Sequence, residues 1–214
     1  MNDQIQARER MIERQIARRG IRDPYLLEAM RRVPREEFLP PDMHEYAYKD
    51  SPLPIGAGQT ISQPYIVALM IAAAGIRPGD CVLEIGAGSG YAAAVMAQVA
   101  HQVYAIERHA ELAELARQRF ARLGYANIEI RIGDGSGGWP DAAPFDAILA
   151  AAGAPEVPDV LRRQLVIGGR LVMPVGSRHS QRLVKTTRQG ADQFSREDLG
   201  GVMFVPLVGE HGWH

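Results

Sequence analysis

The sequence predicts an α/β protein built on a doubly wound, mostly parallel sheet. From residue 79 onward, short apolar runs rich in β-branched residues alternate with segments of helical pattern. A glycine-rich stretch at 86–90 separates the first of these runs from an alanine-rich segment. Strands and helices that alternate in this way favour parallel strands joined by helices on both faces of one sheet.

The elements follow one another in a simple order. Amphipathic helices are expected at 5–19 and 25–32, the second begun by Asp23 and Pro24 as cap and first turn. Strands and helices of the sheet domain are expected as follows: strands at 82–85, 102–106, 128–132, 145–150 and 170–175, and helices at 91–100, 110–123 and 155–165. We therefore expect a single domain over 1–214, with a helical arm and a loop region in 1–78 and the sheet core in 79–214.

Two segments outside this alternation have a different pattern. Residues 182–187 and 202–208 predict two strands without an intervening helix, which we interpret as an antiparallel hairpin closing one edge. Residues 52–64 contain several prolines and glycines and predict an irregular loop that leads into a helix at 64–74. Four methionines are expected in the core: Met70, Met96, Met173 and Met203.

The glycine-rich loop indicates a nucleotide site, because bare backbone between a strand and a helix lets a ligand approach closely. Dinucleotide folds place a third glycine where this chain has Tyr91, which disfavours NAD and FAD. An acidic residue before alternating glycines instead resembles the first motif of S-adenosylmethionine-dependent methyltransferases. The residues expected at the cofactor are Glu84, Gly86, Ala87 and Gly88. Taken alone, the motif leaves open a glycine-rich turn without a ligand.

The next two predicted strands end in acidic residues that strengthen this interpretation. Glu107 closes the second strand, where a carboxylate can accept hydrogen bonds from both hydroxyls of a ribose. Asp134 and Gly135 follow the third strand, where the carboxylate can accept from the adenine amino group beside a small neighbour. Parallel strands end at the same edge of a sheet, so all three tips are expected around one ligand.

Composition narrows the class of protein. The 214 residues carry a net charge of −1, so no global field favours nucleic acid or an anionic membrane surface. The lone cysteine, Cys81, suits a reducing compartment. The charged first segment does not resemble a leader, and the longest apolar stretch, 66–74, is too short to cross a bilayer. The six histidines show no ligand spacing. We expect a cytoplasmic protein without a metal.

A second constellation precedes the helix expected at 64–74. Gln59, Thr60 and Ser62 lie just before its first turn. The hydroxyls there either cap free N–H groups or, together with those N–H groups and the helix dipole, bind an anion such as a substrate carboxylate. The residues themselves leave both possibilities open.

The loop at 52–64, Pro-Leu-Pro-Ile-Gly-Ala-Gly-Gln-Thr-Ile-Ser-Gln-Pro, resembles the signature of the protein-L-isoaspartate O-methyltransferases. The similarity continues over nearly the whole chain, through residues 83–91, 106–108, 133–135, 138–140, 144–146, 174–176 and 204–209. One departure lies at Ala151, where the family often has threonine. A hydroxyl on the rim of the site is therefore missing.

The resemblance implies a Rossmann-like class I methyltransferase fold and a repair activity. S-adenosyl-L-methionine would donate a methyl group to the free α-carboxylate of L-isoaspartyl residues in damaged proteins and peptides, initiating repair through a succinimide. Ser62 is expected to orient the attacking oxygen, and Gln59 and Thr60 to contact the substrate. We expect a monomer. The peptide preference, the acceptance of D-aspartyl residues and the effect of Ala151 stay open.

Three alternatives compete with repair. The first is a methyltransferase for an aspartate in one dedicated peptide, although the chain shows no added peptide-docking extension. The second is a non-catalytic S-adenosylmethionine-binding module, which would not need the loop from Gln59 to Ser62. The third is an NAD-linked oxidoreductase, which Tyr91 disfavours.

Overall fold

The helical arm forms the first layer of the fold. The computed structural model describes residues 3–213. Helix α1 (Asp3–Met11) continues as a π-helical turn and a 3₁₀ turn, so the helix predicted at 5–19 ends irregularly. Helix α2 (Pro24–Arg32) begins as predicted, because an Asp23 Oδ1 atom accepts a hydrogen bond from the Leu26 N–H at 3.1 Å. Two 3₁₀ turns follow, at Arg35–Phe38 and Pro41–Tyr46.

The region between the arm and the core is more regular than predicted. It contains a short antiparallel hairpin of β1 (Leu53–Gly56) and β2 (Gln59–Ile61), so the expectation of a wholly irregular loop was wrong. A proline is tolerated in so short an edge ladder because few of its N–H groups must pair. Helix α3 (Pro64–Ala74) then follows as predicted and ends at Gly75 in the left-handed conformation.

The core is a seven-stranded sheet with the order β5-β4-β3-β6-β7-β8-β9. Its strands are β3 (Cys81–Ile85), β4 (Gln102–Glu107), β5 (Ile128–Ile132), β6 (Phe145–Ala150), β7 (Leu165–Gly176), β8 (Gln181–Arg188) and β9 (Phe194–Val202). Its helices are α4 (Tyr91–Ala97), α5 (Ala110–Leu123) and α6 (Asp159–Arg163). Strands β3 to β7 pair in parallel, and the last two add antiparallel. The predicted fold class is confirmed.

Two boundaries differ from the prediction. Helix α6 is one short turn, and β7 starts at Leu165, because the segment before Gly168 already pairs with β6. The second hairpin strand is Phe194–Val202, so the prediction of a strand at 202–208 was wrong. Residues beyond Val202 instead cross the end of β6, where the Gly153 N–H donates to the Val205 carbonyl at 2.8 Å.

The two faces of the sheet bury different side chains. Val82 and Ala105 belong to a cluster that includes residues of the arm and of α3, α4 and α5. Leu83 and Ile85 point to the opposite face and pack in a cluster with Leu161 of α6. This alternation along β3 and β4 is the pattern of strands covered on both faces. The sheet is therefore doubly wound, as predicted.

The turn from the glycine loop into α4 requires a residue without a side chain. Gly90 has φ of +88°, and an added Cβ would lie 2.6 Å from Cζ of Phe120 in α5. Both the backbone conformation and the close approach of α5 thus favour glycine.

We expect Gly90→Ala to lower the free energy of unfolding by about 2–4 kcal/mol, through backbone strain and overpacking together. Gly124→Ala is the matched control, because Gly124 has φ of +78° but open space where a Cβ would lie. That control is expected to lose only about 1 kcal/mol. Urea unfolding of both variants measures the difference, and equal losses would contradict the role of Phe120.

Candidate active site

A cleft of about 930 Å³ lies at the carboxyl edge of the parallel strands. One wall is the segment from Pro52 to Pro64, called the substrate loop below, and the opposite wall is the glycine loop at Gly86–Gly90. Substrate-loop residues on the wall are Pro52, Gly58, Gln59, Thr60, Ser62 and Gln63. Residues 201–208 line the rim. The cleft therefore joins the two constellations that the sequence analysis considered separately.

Strand β4 holds the glycine loop in place. The N–H groups of Gly86 and Ala87 donate to the Ile106 carbonyl at 2.8 and 3.1 Å. The N–H of Gly88 donates to Glu107 Oε2 at 2.8 Å. Gly88 has φ of +53°, and an added Cβ there would lie 3.2 Å from Cδ1 of Ile55 in the substrate loop. Glycine at this position thus favours the close approach of the two loops.

Glu107 lies on the cleft wall although only 4% of it is exposed. Its Oε1 atom accepts from the His109 N–H at 2.8 Å, in addition to the bond from Gly88. A carboxylate has about four lone-pair sites, so it retains capacity to accept from ligand hydroxyls. The side chain is thus rigidly held and able to recognise a diol.

Glu84 lies on the face of β3 that packs toward α4, outside the residues that line the cleft. It is 3% exposed, and within residues 3–213 its Oε2 atom has no hydrogen-bond partner. Burial raises the pKa of Glu84 to about 8, the charge of Glu107 adds to the rise, and the Ala93 N–H opposes it. A role for Glu84 at the cofactor stays a prediction.

Asp134 and Gly135 follow β5, and only Gly135 lines the cleft. The Asp134 carboxylate accepts from the N–H groups of Ser136 at 2.8 Å and Glu210 at 2.9 Å. Partial burial opposes ionisation, but these N–H donors hold the pKa of Asp134 below its ordinary value. An added Cβ at Gly135 would lie 2.5 Å from Cγ2 of Ile85, so this corner admits only a bare backbone. Recognition of adenine by Asp134 stays a prediction.

Ser62 does not cap α3. The N-cap residue is Gln63, and no side chain caps that helix. The first N–H groups of a helix lack intrahelical acceptors, and because Pro64 has no N–H, the donors left at the start of α3 are those of Tyr65 and Ile66. Ile66 lines the cleft. Of the capping and anion-site interpretations, this geometry favours the anion site. Nearby, Thr60 is exposed, and Gln59 Nε2 donates to the Ala57 carbonyl at 3.3 Å.

The structure adds residues that the sequence analysis missed. Met203 is 67% exposed on the cleft rim, so its placement in the core was wrong. Ala151, already identified from the sequence by its missing hydroxyl, lines the cleft beside Gly86, and its N–H donates to the Ile85 carbonyl at 2.8 Å. Arg108 and His109 line the cleft after Glu107. Their position directly after the strand tip was the one signal that could have identified them.

Residues 3–213 contain no group of three or more histidine, cysteine, aspartate or glutamate side chains that could hold a metal ion. None of the helices in this range is long and apolar enough to cross a membrane.

Sequence comparisons give one family. The family of protein-L-isoaspartate(D-aspartate) O-methyltransferases matches residues 6–212. Protein-L-isoaspartate O-methyltransferase 1 of Rhodopseudomonas palustris (strain HaA2) is 60% identical over 207 residues, covering 96% of this chain and 84% of the relative. Protein-L-isoaspartate O-methyltransferase 2 of Pelobacter propionicus is 58% identical over 214 residues, covering 100% and 95%.

Solved structures agree with this result. A protein-L-isoaspartate O-methyltransferase superposes with a TM-score of 0.84 at 30% identity, covering 95% of this chain and 66% of the other. A beta-aspartate methyltransferase from Plasmodium falciparum, in complex with S-adenosyl-L-homocysteine, superposes with a TM-score of 0.82 at 26% identity, covering 97% and 99%. The resemblance inferred from the motifs is confirmed, and the chain belongs to the protein-L-isoaspartate(D-aspartate) O-methyltransferase family.

Proposed function

We propose that the protein transfers a methyl group from S-adenosyl-L-methionine to the free α-carboxylate of L-isoaspartyl residues in damaged proteins and peptides. The observation that carries the proposal is the shared cleft, in which the substrate loop faces the glycine loop. The methyl ester would close to a succinimide, and hydrolysis of that ring would return part of the product as normal aspartate. Family membership supports the same substrate class.

The glycine loop fits the cofactor. Gly86, Gly88 and Gly135 line the cleft as bare backbone, and Glu107 offers a carboxylate for the ribose hydroxyls. We assign Glu84, Ala87 and Asp134 to the same site as supporting groups. When bound, S-adenosyl-L-methionine supplies a methyl group activated by its sulfonium.

The substrate loop has the simpler task of positioning. A carboxylate is already ionised at neutral pH, so the acceptor requires no general base. Strong ion pairing would reduce its nucleophilicity, and neutral donors therefore suit it better than a cation. We assign this role to the hydroxyl of Ser62 and the free N–H groups of the α3 first turn, with Gln59 and Thr60 contacting the peptide. Holding the reacting groups in line accounts for the rate gain.

We further propose that the chain acts as a monomeric, single-domain enzyme in the cytoplasm and does not bind nucleic acid. The packing of the arm against α4 through Phe38 and Tyr91, with ring centroids 5.7 Å apart, supports a single domain. The unpaired Cys81 supports a reducing compartment.

The activity is tested with two synthetic peptides that differ only in isoaspartate or aspartate at one position. Labelled S-adenosyl-L-methionine is expected to give base-labile methylation of the isoaspartyl peptide alone. Methylation of neither peptide, with binding of S-adenosyl-L-homocysteine intact, would favour a dedicated acceptor or a binding module instead.

Ser62→Ala is expected to lower kcat for the isoaspartyl peptide about 10-fold or more, the contribution of a hydrogen bond to a charged group. Affinity for S-adenosyl-L-homocysteine, measured by calorimetry, is expected to stay unchanged. Ser195→Ala in β9 is the control, since Ser195 lies outside the cleft. An unaltered kcat in Ser62→Ala would refute its orienting role.

Glu107→Ala is expected to weaken S-adenosyl-L-homocysteine binding by about 10- to 100-fold, because the ribose hydroxyls lose a charged acceptor. The exposed Glu129 of the neighbouring β5 provides the control variant Glu129→Ala. Calorimetric titration separates the two variants. Normal affinity in Glu107→Ala would exclude this carboxylate as the ribose acceptor.

A further inference from the structure

Arg35 is a fully buried cation in the helical arm. Its exposed fraction is 0%, and it lies in the 3₁₀ turn Arg35–Phe38. Nε donates to the Ala47 carbonyl and Nη2 donates to the Ser62 carbonyl, both at 2.8 Å. No carboxylate within residues 3–213 forms a salt bridge with it, and the neighbouring Glu36 instead contacts Arg8 and Tyr48.

Burying a cation in this position carries a large desolvation penalty. Burial lowers the pKa of Arg35 to about 10, although Tyr91 and Tyr48 oppose that effect, and the side chain stays charged at neutral pH. Removing a charge from water costs several kcal/mol, and an apolar side chain of similar volume is often as stable or more stable. Two carbonyl acceptors and an aromatic face offset only part of that cost. Stability alone therefore does not account for an arginine here.

Arg35 contacts both the substrate loop and the helix that follows the glycine loop. The Ser62 carbonyl belongs to the end of the substrate loop, directly before α3. The guanidinium carbon also lies 4.9 Å from the ring centroid of Tyr91. Tyr91 is 1% exposed and is the first residue of α4, immediately after the glycine loop. A single rigid, planar group thus connects the end of the substrate loop with the start of α4.

We propose that Arg35 is a positioning residue for methyl transfer, which fixes the Ser62 peptide group relative to the helix that follows the glycine loop. The inference rests on the proposed function and on the role assigned to Ser62. Because its carbonyl is held, the peptide group between Ser62 and Gln63 keeps one orientation, and this fixes the backbone from which the Ser62 side chain extends into the cleft. Arg35 does not line the cleft, so it acts through Ser62 and not by contact with substrate.

The test compares three variants of the full chain. Arg35→Met removes the charge and both donors, whereas Arg35→Lys keeps the charge but cannot form the fork. Arg131→Met is the matched control, because Arg131 makes the same kinds of contact elsewhere: Nη2 donates to the Gly138 carbonyl at 2.6 Å, and its guanidinium carbon lies 4.1 Å from the Trp139 ring centroid. Neither Arg131 nor Gly138 lines the cleft.

Arg35→Met is expected to lower kcat for an isoaspartyl peptide by about 10- to 100-fold, the loss produced by a displacement on the order of 1 Å at the reacting groups. Arg35→Lys is expected to recover part of that loss. Affinity for S-adenosyl-L-homocysteine should stay at the wild-type value in both. Arg131→Met should keep the wild-type kcat whatever its effect on the melting temperature.

A double-mutant cycle with Ser62→Ala separates positioning from a general effect on folding. If Arg35 acts through Ser62, Arg35→Lys will lower kcat much less in the Ser62→Ala background than in the wild type. Additive losses in the two backgrounds would overturn the proposal. An unchanged kcat in both Arg35→Lys and Arg35→Met would also overturn it. A loss of kcat accompanied by an equal loss of S-adenosyl-L-homocysteine affinity would do the same.

The wild-type assay distinguishes failure of the proposed function from failure of the role proposed for Arg35. A wild-type protein that methylates neither peptide refutes the proposed function, whereas an active wild type with additive variants refutes only the role of Arg35. If Arg35→Met fails to fold, Arg35→Lys and its cycle with Ser62→Ala still decide the question.

Discussion

The rest of the site depends on how strand β4 holds the glycine loop. The Ile106 carbonyl and the Glu107 carboxylate together accept three consecutive loop N–H groups, from Gly86 to Gly88. Those bonds bend the chain so that bare backbone faces the cleft at the ends of the parallel strands. They also fix Glu107, which in turn offers its remaining lone pairs to a ligand. In the proposed assignment, one carboxylate thus both shapes the binding surface and recognises the ribose of the cofactor.

The helical arm completes this arrangement from the opposite side. A sheet with helices on both faces positions a cofactor but leaves the acceptor side of its cleft open. Here the arm packs against α4, and Arg35 reaches the Ser62 carbonyl from within that interface. The substrate loop is therefore tied to the same helix that begins at the glycine loop. A positioning enzyme needs two rigid walls at a constant separation, and the buried guanidinium connects the substrate loop to the helix that follows the second wall.

The sequence predicted the parallel strands and their acidic tips well, because buried strands leave a strong apolar signal and glycine marks the turn between them. The prediction failed at β9, because this edge strand contains the polar residues Arg196, Glu197 and Asp198 and lacks an apolar signal. Its pairing with β8 includes ion pairs such as Arg182–Asp198 at 2.8 Å. The apolar residues after Val202 resembled a strand but line the cleft instead. The burial of Arg35 could not be predicted either, since nothing in the neighbouring sequence distinguishes it from the many solvated arginines around it.

In the proposed function, the substrate loop and the glycine loop form two walls of a single reaction site. A crystal structure of the protein with S-adenosyl-L-homocysteine and an isoaspartyl peptide tests it most directly. We expect the ribose hydroxyls on Glu107 and the peptide α-carboxylate within hydrogen-bond distance of the Ser62 hydroxyl, with the Arg35–Ser62 contact preserved. A carboxylate bound away from Ser62, or a ribose that does not contact Glu107, would contradict the claim.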